Sequence, residues 1–315
     1  MKGGGNVSHR LLCVLGTLLV TTLGLPAFAA AQETEETQAI EKTENADEAE
    51  KSEEAEGWLS HLSGAMQVDF TNAYYFRGIL QERDSFIAQP WGELYYSLFQ
   101  SEDGPIRDVS IGGGVWSSFH TEETGATQNP KSLYETDWYP IVSVELPQSL
   151  SLTTIYYFYT SPNDAWESVQ ELNFKLAWDD SETLGRFALQ PWINLAIETH
   201  KTSFGPHKGE GFQMGIAPTL YEIPIEHYPV TLTAPVELGL ALDEYYERDD
   251  GHESTFGYLS FGMAASFPLA FMPECLGSWS FTVTGKGYWL SHTLADVNLG
   301  RNLSPVVIGS LGVEF

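Results

Sequence analysis

Cysteine and long apolar runs are both scarce in this sequence. Its 315 residues include two cysteines, Cys13 and Cys275, and Cys13 lies in an N-terminal segment with the features of a removable signal. Cys275 would then stand alone in the mature chain, which excludes an intramolecular disulfide. Beyond that segment, no stretch approaches the roughly 20 apolar residues of a membrane-spanning helix. We therefore expect a protein that is soluble outside the cytoplasm or that crosses a membrane as strands.

Basic residues are also few, with 15 Lys and Arg against 43 Asp and Glu, for a formal net charge of −28. Binding to a nucleic-acid backbone needs clustered basic side chains, so we expect no nucleic-acid partner. The histidines that fall in predicted loops lack the paired spacing of a metal site. They are His120, His200, His207, His252 and His292. The sequence therefore predicts neither a metal nor another cofactor.

The N-terminal part of the chain divides into two segments. Residues 1–31 begin with Lys2 and Arg10, continue through the apolar stretch Leu11–Leu25, and end in small residues. This pattern predicts a signal peptide that is cleaved near Ala29 to Ala31. Residues 32–57 are so acidic, and so poor in large apolar side chains, that we expect a disordered periplasmic leader. The remaining segment, residues 58–315, is predicted to be the folded domain.

A period of two dominates the folded domain. In VTLTAPVELGLAL, which runs from Val230 to Leu242, every even position is apolar, whereas Glu237 lies on the odd face. This alternation predicts strands. The turn signals divide the domain into twelve of them: Ser63–Phe76, Ser85–Phe99, Ile106–Phe119, Asp137–Leu146, Ser149–Thr160, Ser168–Trp178, Arg186–Glu198, Gly211–Tyr221, Val230–Asp243, Thr255–Phe267, Ser278–Leu290 and Ser304–Phe315.

The connectors between these strands alternate between compact and long. Short turns on one side and long polar loops on the other are typical of an outer-membrane barrel, whose strands need about 9 to 11 residues to span the hydrocarbon. Aromatic residues gather at predicted strand ends, in Tyr74–Phe76, Tyr156–Tyr159 and Tyr245–Tyr246, where we expect an interfacial girdle. A soluble sandwich also alternates, but its strands are usually shorter. We predict an all-β fold, a closed antiparallel transmembrane barrel of about 12 strands.

The charged residues of the predicted strands fall on the face opposite the apolar one. A charge facing lipid is costly, so this parity predicts that they line the lumen. The predicted lumen-lining residues are Asp69, Glu93, Glu145, Glu171, Lys175, Arg186, Glu198, Glu237, Lys286 and Glu314. An acidic lumen favours cations. A barrel of this size leaves two possibilities open, a water-filled channel or an interior plugged by paired charges.

Five prolines interrupt the predicted strands, and each removes a donor from the strand ladder. They are Pro90, Pro140, Pro191, Pro218 and Pro235. Bulges or local bends explain them simply. A weakened seam through which a lipid-like molecule passes sideways is the second hypothesis.

Three stretches resemble the TorF family of porins: TNAYYFRGI (Thr71–Ile79), YETDWYP (Tyr134–Pro140) and SPNDAWESVQELNF (Ser161–Phe174). The terminal VVIGSLGVEF resembles the last strand that outer-membrane proteins present to the barrel-assembly machinery, so Phe315 is the predicted assembly signal. The family resemblance implies a barrel of about twelve strands with a porin role, and it supplies no catalytic residues.

These patterns together predict an outer-membrane channel for passive diffusion of small polar solutes or ions, with a preference for cations. The partners expected are outer-membrane lipid, the assembly machinery and the solutes themselves. One alternative is a closed structural or adhesive barrel whose loops bind a ligand outside. A second alternative is a lipid-handling enzyme, but His252 and Ser254 fall in a predicted loop without the order of a catalytic site, so we expect no enzyme.

Overall fold

The computed structural model describes residues 57–225 and 229–315, so the predicted signal peptide and almost all of the predicted leader lie outside the described residues. The chain forms a closed antiparallel β-barrel. Its strands are β1 (Leu62–Thr71), β2 (Tyr74–Phe76), β3 (Ile79–Glu82), β4 (Ile87–Gln100), β5 (Asp108–His120), β6 (Leu133–Leu146), β7 (Leu150–Thr160), β8 (Val169–Trp178), β9 (Trp192–His200), β10 (Glu210–Ile216), β11 (Thr219–Ile223), β12 (Val230–Thr233), β13 (Val236–Asp243), β14 (Phe256–Pro268), β15 (Ser278–Leu290) and β16 (Leu303–Glu314).

The first and last strands close the barrel. Met66 of β1 pairs with Gly92 of β4 on one side and with Val313 of β16 on the other. We call each passage of the chain from one end of the barrel to the other a crossing. Strands β10 and β11 together form one crossing, and so do β12 and β13, while β2 and β3 form a separate hairpin. The wall therefore has twelve crossings, and the predicted fold class is confirmed. Two short helices lie in connectors, α1 (Ser181–Leu184) and α2 (His292–Val297).

The outer surface of the barrel is apolar on most of its crossings. Large apolar side chains are exposed on the outward face at Met66, Phe70, Leu94, Ile111, Val115, Trp138, Val142, Phe174, Ile193, Met214, Phe261, Met263, Phe281, Val283 and Val307. Soluble monomers rarely expose a continuous apolar surface of this extent, so the wall is built to face lipid. None of the helices among the described residues is long and apolar enough to span a membrane.

The connectors separate the two ends of the barrel. The long-loop end carries the connections at 72–86, 121–132, 161–168, 201–209, 244–255 and 291–302. The short-turn end carries the other connections, together with the start of β1 and the end of β16. The predicted alternation of long loops and short turns is thus present, although the connection from β8 to β9 extends from residue 179 to residue 191.

Several predicted strands have different bounds in the structure, and three of the differences change how the chain runs. The first ends at Thr71, because the chain then turns into the β2–β3 hairpin. The seventh begins at Trp192, after α1 and a short 3-10 turn that contains Arg186. The long strand Val230–Leu242 is broken between Thr233 and Val236, at Ala234 and Pro235.

The prolines explain the breaks in the wall. Pro218 and Pro235 separate the two halves of neighbouring crossings, where Ala234 N–H donates to the Pro218 carbonyl at 3.0 Å. Pro90 and Pro140 remain inside β4 and β6. On the short-turn side of the break at Pro218, β11 pairs only with β12 among the described strands, so the wall is incomplete at the short-turn end. Pro218 and Pro235 thus interrupt the ladder locally, and the seam hypothesis stays a prediction.

Candidate functional site: a hairpin inside the lumen

The long-loop half of the barrel interior is filled by protein. The β2–β3 hairpin and helix α2 pack there against inward-facing side chains of the wall. Tyr245, Tyr246 and Leu294 are at most 1% exposed at the centre of this cluster, which also contains Ala73, Ile79, Ala241, Tyr258, Tyr288, Leu290, Ala295 and Val306. Of the two possibilities for the lumen, the structure therefore has a plugged interior in this half.

The turn of the hairpin depends on two consecutive residues. Arg77 has a φ of 45° and Gly78 a φ of 82°, so both lie in the left-handed region that L side chains rarely adopt. A Cβ on Gly78 would also lie 2.8 Å from Cδ1 of Tyr258. The Arg-Gly pair thus turns the chain tightly enough to place the Arg77 side chain in the middle of the lumen.

The β2–β3 hairpin, helix α2 and the side chains packed around them are called the plug below. Arg77 forms the ion pair at its centre. Its two terminal nitrogens donate to the two carboxylate oxygens of Glu171, each at 2.5 Å, and the Glu171 side chain is 0% exposed. Tyr159 and Tyr245 donate to the same carboxylate at 3.2 and 3.1 Å, and Asn173 donates at 2.6 Å. Every oxygen of this buried carboxylate is therefore hydrogen-bonded, the condition under which a buried ion pair is stable.

Polar contacts also fix the backbone and flanks of the hairpin. Asn298 accepts from Leu80 N–H at 2.8 Å and donates to the Gly78 carbonyl at 2.6 Å. Tyr246 O–H donates to the Arg77 carbonyl at 3.1 Å. Tyr74 O–H donates to Glu135 at 2.9 Å. Sequence reasoning missed Arg77 and Asn298, although the Arg-Gly turn inside an otherwise alternating stretch was a signal for the hairpin.

Replacing Asn298 by alanine is expected to loosen the hairpin while leaving the wall intact. Two backbone groups of the hairpin would lose their partner inside the protein, and each such loss costs about 1–3 kcal/mol. We expect faster hydrogen exchange at Leu80 N–H with an unchanged β-sheet circular dichroism spectrum. Asn302→Ala in the same loop is the control, since among the described residues Asn302 takes part only through its backbone carbonyl, which accepts from Leu290 N–H. Equal exchange in both variants would mean that the aromatic cluster alone holds the hairpin.

The short-turn half of the interior contrasts with the plug. A cavity of about 600 Å³ lies at this mouth, lined by polar side chains such as Ser97, Ser110 and Asp108. Above it, Tyr95 and Tyr139 donate to Glu93 at 2.6 and 2.9 Å. Small and polar residues thus leave room for water where the other half is packed.

Most of the predicted lumen residues point into the barrel, at different heights. Asp69 accepts from Gln67 at 2.7 Å, Glu237 accepts from Tyr258, and the Lys286 ammonium lies 5.1 Å from the centre of the Tyr288 ring. Glu145 lines the cavity at the short-turn mouth. Glu314 lies at the same rim by its register with Ala65.

Lys175 and Glu198 have interior partners of different kinds. The Lys175 ammonium lies 5.4 Å from the centre of the Trp192 ring. Glu198, 5% exposed, accepts from the backbone N–H groups of Ser203 and Gly209, at 2.5 and 2.9 Å, so it shapes the 201–209 loop. Lys175 forms no ion pair with Glu171 among the described residues, because Arg77 occupies that position.

Two predictions from the sequence need correction. Arg186 is exposed in the β8–β9 connector, where its guanidinium lies over the Phe187 ring at 4.7 Å, so it does not lie on a strand that lines the lumen. The tyrosines of 74–75 and 245–246 lie inside the barrel instead of in a lipid-facing girdle. The outward pair Trp138 and Phe158, stacked at 4.0 Å, is an aromatic contact on the lipid side.

Phe315, the predicted assembly signal, pairs through its backbone with Gly64.

One loop cluster has the residue types of a metal site. His207, Glu244 and Glu247 place one possible ligand atom each within 4.8 Å of one another. His207 Nδ1–H donates to the Glu247 carboxylate at 2.7 Å, and this hydrogen bond raises the pKa of the His207 imidazole. Sequence spacing could not find this cluster because its members lie on two loops.

The histidine and serine considered for an enzyme have other contacts. Ser254 donates to the Phe256 carbonyl at 2.6 Å, and His252 lies 3.4 Å from the carboxylate of Asp250. These positions add no support to the lipid-enzyme alternative. The absence of enzymatic activity stays a prediction.

The sequence matches no protein-family model and no curated protein. Among solved structures, an outer-membrane channel from Pseudomonas putida F1 is similar at a TM-score of 0.43 and 10% identity, covering 81% of this chain and 95% of that one. The NanC porin is similar at a TM-score of 0.38 and 11% identity, and the match covers 79% of this chain and 98% of that one. LpxR from Salmonella typhimurium is similar at a TM-score of 0.39 and 9% identity, and the match covers 80% of this chain and 100% of that one. Likeness at this level leaves the function to be argued from the residues of this chain.

Proposed function

We propose that this chain is an outer-membrane barrel that admits small polar solutes, with cations preferred, through a lumen that the β2–β3 hairpin closes at rest. The apolar outer surface and the closed ladder support a place in a membrane. Outer-membrane lipid and the barrel-assembly machinery are the partners that this location implies. The short-turn end, where β1 begins and β16 ends, would face the periplasm.

The observation that carries the proposal is the way the hairpin is held. It is separate from the barrel ladder, and the Arg77–Glu171 ion pair and the two bonds to Asn298 fix its turn. A segment docked in this way would leave the lumen without the loss of any hydrogen bond between the strands of the wall. Below it, the lumen is already polar and holds the cavity of about 600 Å³.

The charge of the short-turn half supports the cation preference. Asp108 and Glu145 line the mouth cavity together with one basic side chain, Arg107. Glu93 and Asp69 lie deeper along the same interior face. A lumen with more acidic than basic groups concentrates cations and repels anions.

Changing Glu145 to lysine is expected to weaken or reverse the cation preference. Glu145 is exposed to water at the mouth cavity, so the new charge needs no buried partner and the barrel should fold as before. The measurement is the reversal potential of single channels under a salt gradient, which should shift toward anions. Glu182→Lys, in α1 outside the lumen, is the control that should leave it unchanged. Equal potentials in both variants would place the selectivity elsewhere.

Planar-bilayer recording of the refolded protein tests the channel function itself. We expect brief openings that favour cations, because the hairpin is docked most of the time. The packed cluster around Tyr245 and Leu294 favours a second candidate, a closed structural or adhesive barrel whose loops bind a ligand. A folded barrel that stays silent even after the hairpin is released would support that candidate and overturn the channel.

A further inference from the structure

A second cavity lies at the long-loop end, separate from the polar cavity at the other mouth. It has a volume of about 360 Å³, which is within the range of small-molecule sites. Four aromatic residues, Phe76, Tyr134, Tyr159 and Trp166, line it together with Glu135. We call this space the vestibule.

The aromatic residues form two contacting pairs. The Tyr134 and Trp166 rings are 6.2 Å apart, and the Phe76 and Tyr159 rings are 5.3 Å apart. Aromatic faces carry partial negative charge and attract cations, most strongly when the cation is only weakly hydrated. A vestibule lined in this way suits an organic cation better than an inorganic ion, which keeps its water.

A buried carboxyl group lines the vestibule, and a second one lies next to it on the same strand. Glu135 is 4% exposed and Asp137, two residues along the same face of β6, is 5% exposed. Neither belongs to any ion pair found among the described residues, and Asp137 Oδ1 has no hydrogen-bond partner within that part of the chain. Burying acidic groups without a cation is costly, so a positively charged ligand would relieve the cost.

The rim of the vestibule gives access and carries no net charge of its own. Lys201 lies beside the cavity, but its ammonium is 2.7 Å from Glu167, and both side chains are largely in solvent. The hydrogen bond from Lys201 lowers the pKa of the Glu167 carboxyl, so the two rim charges neutralise each other at neutral pH. The acidic group that lines the vestibule and faces a ligand is Glu135.

We propose that the vestibule is a binding site for a small organic cation, with the aromatic rings around its charged head and Glu135 as the counter-ion. This site goes beyond the proposed channel, because it requires only the docked hairpin, which supplies Phe76. Binding is therefore measurable on a barrel that conducts nothing.

Calorimetric titration of the folded, detergent-solubilised protein tests the site, with choline as the probe and 3,3-dimethylbutan-1-ol as its neutral isostere. We expect choline to bind with a dissociation constant of about 1 mM or below, and the isostere to bind at least about tenfold more weakly. Absence of choline binding at about 10 mM, or equal binding of the two compounds, would overturn the proposal.

Two variants separate the charge from the rings. Glu135→Gln keeps an acceptor for Tyr74 and should weaken choline binding about tenfold, whereas Glu145→Gln at the opposite mouth should leave it unchanged. Trp166→Leu should also weaken binding, and it keeps the test available if Glu135→Gln fails to fold. Wild-type affinity in a folded Glu135→Gln variant would exclude the counter-ion role.

Discussion

Arg77→Ala is expected to convert a mostly closed barrel into one that opens frequently. The substitution leaves the Glu171 carboxylate fully buried without its cation, and breaking a buried pair in this way costs about 3–5 kcal/mol. Release of the hairpin would let water reach Glu171. A loss of about 3 kcal/mol from the closed state shifts the balance toward the open one by more than a factor of about 100.

The measurement is the open probability of single channels, and two companion variants make it specific. Arg186→Ala removes an exposed arginine far from the hairpin and should behave as the wild type. Arg77→Met with Glu171→Met removes both charges at similar volume, so it should stay closed more often than Arg77→Ala alone. A folded Arg77→Ala barrel that opens no more than the wild type would show that apolar packing around Tyr245 closes the lumen, as the structural alternative requires.

The wall of the barrel could be predicted from the sequence because the patterns that specify it lie within short stretches of the chain. Alternation along each segment determines which side chains face lipid, and Val230–Leu242 keeps that parity on both sides of its break at Pro235. Turn residues likewise separate neighbouring crossings within a few positions. The acidic residues of the interior, such as Glu93 and Glu237, follow from the same parity.

The plug could not be predicted because its contacts are distant along the chain. Arg77 and Glu171 are 94 positions apart, and Asn298 lies 220 positions from Gly78. An aromatic run at a strand end also has the same composition whether it faces lipid or the lumen, so Tyr245 and Tyr246 fit the pattern of an interfacial girdle although they lie inside the barrel. The turn at Arg77 and Gly78, with φ values of 45° and 82°, sends the hairpin inward.

Val283→Arg is expected to prevent assembly of the barrel in membranes. Val283 lies near the middle of β15, points outward and is 40% exposed on the apolar surface. An arginine facing lipid at the middle of a bilayer costs about 2–4 kcal/mol in a transmembrane barrel. We expect little heat-modifiable, protease-resistant protein in the membrane fraction, compared with abundant folded wild type.

Thr282→Arg is the matched control, because it adds the same side chain one residue away on the opposite face. Thr282 donates to Ser266 inside the barrel, and its register through Ser310 leads to Asp69, two strands away. The new guanidinium would therefore meet water and a carboxylate instead of hydrocarbon, and the protein should assemble. If both variants assembled, the outer surface would not be in lipid; if both failed, bulk in β15 would be the cause. If Val283→Arg fails to assemble while Thr282→Arg assembles, the outward face of β15 lies in lipid. A channel through this barrel depends on that premise.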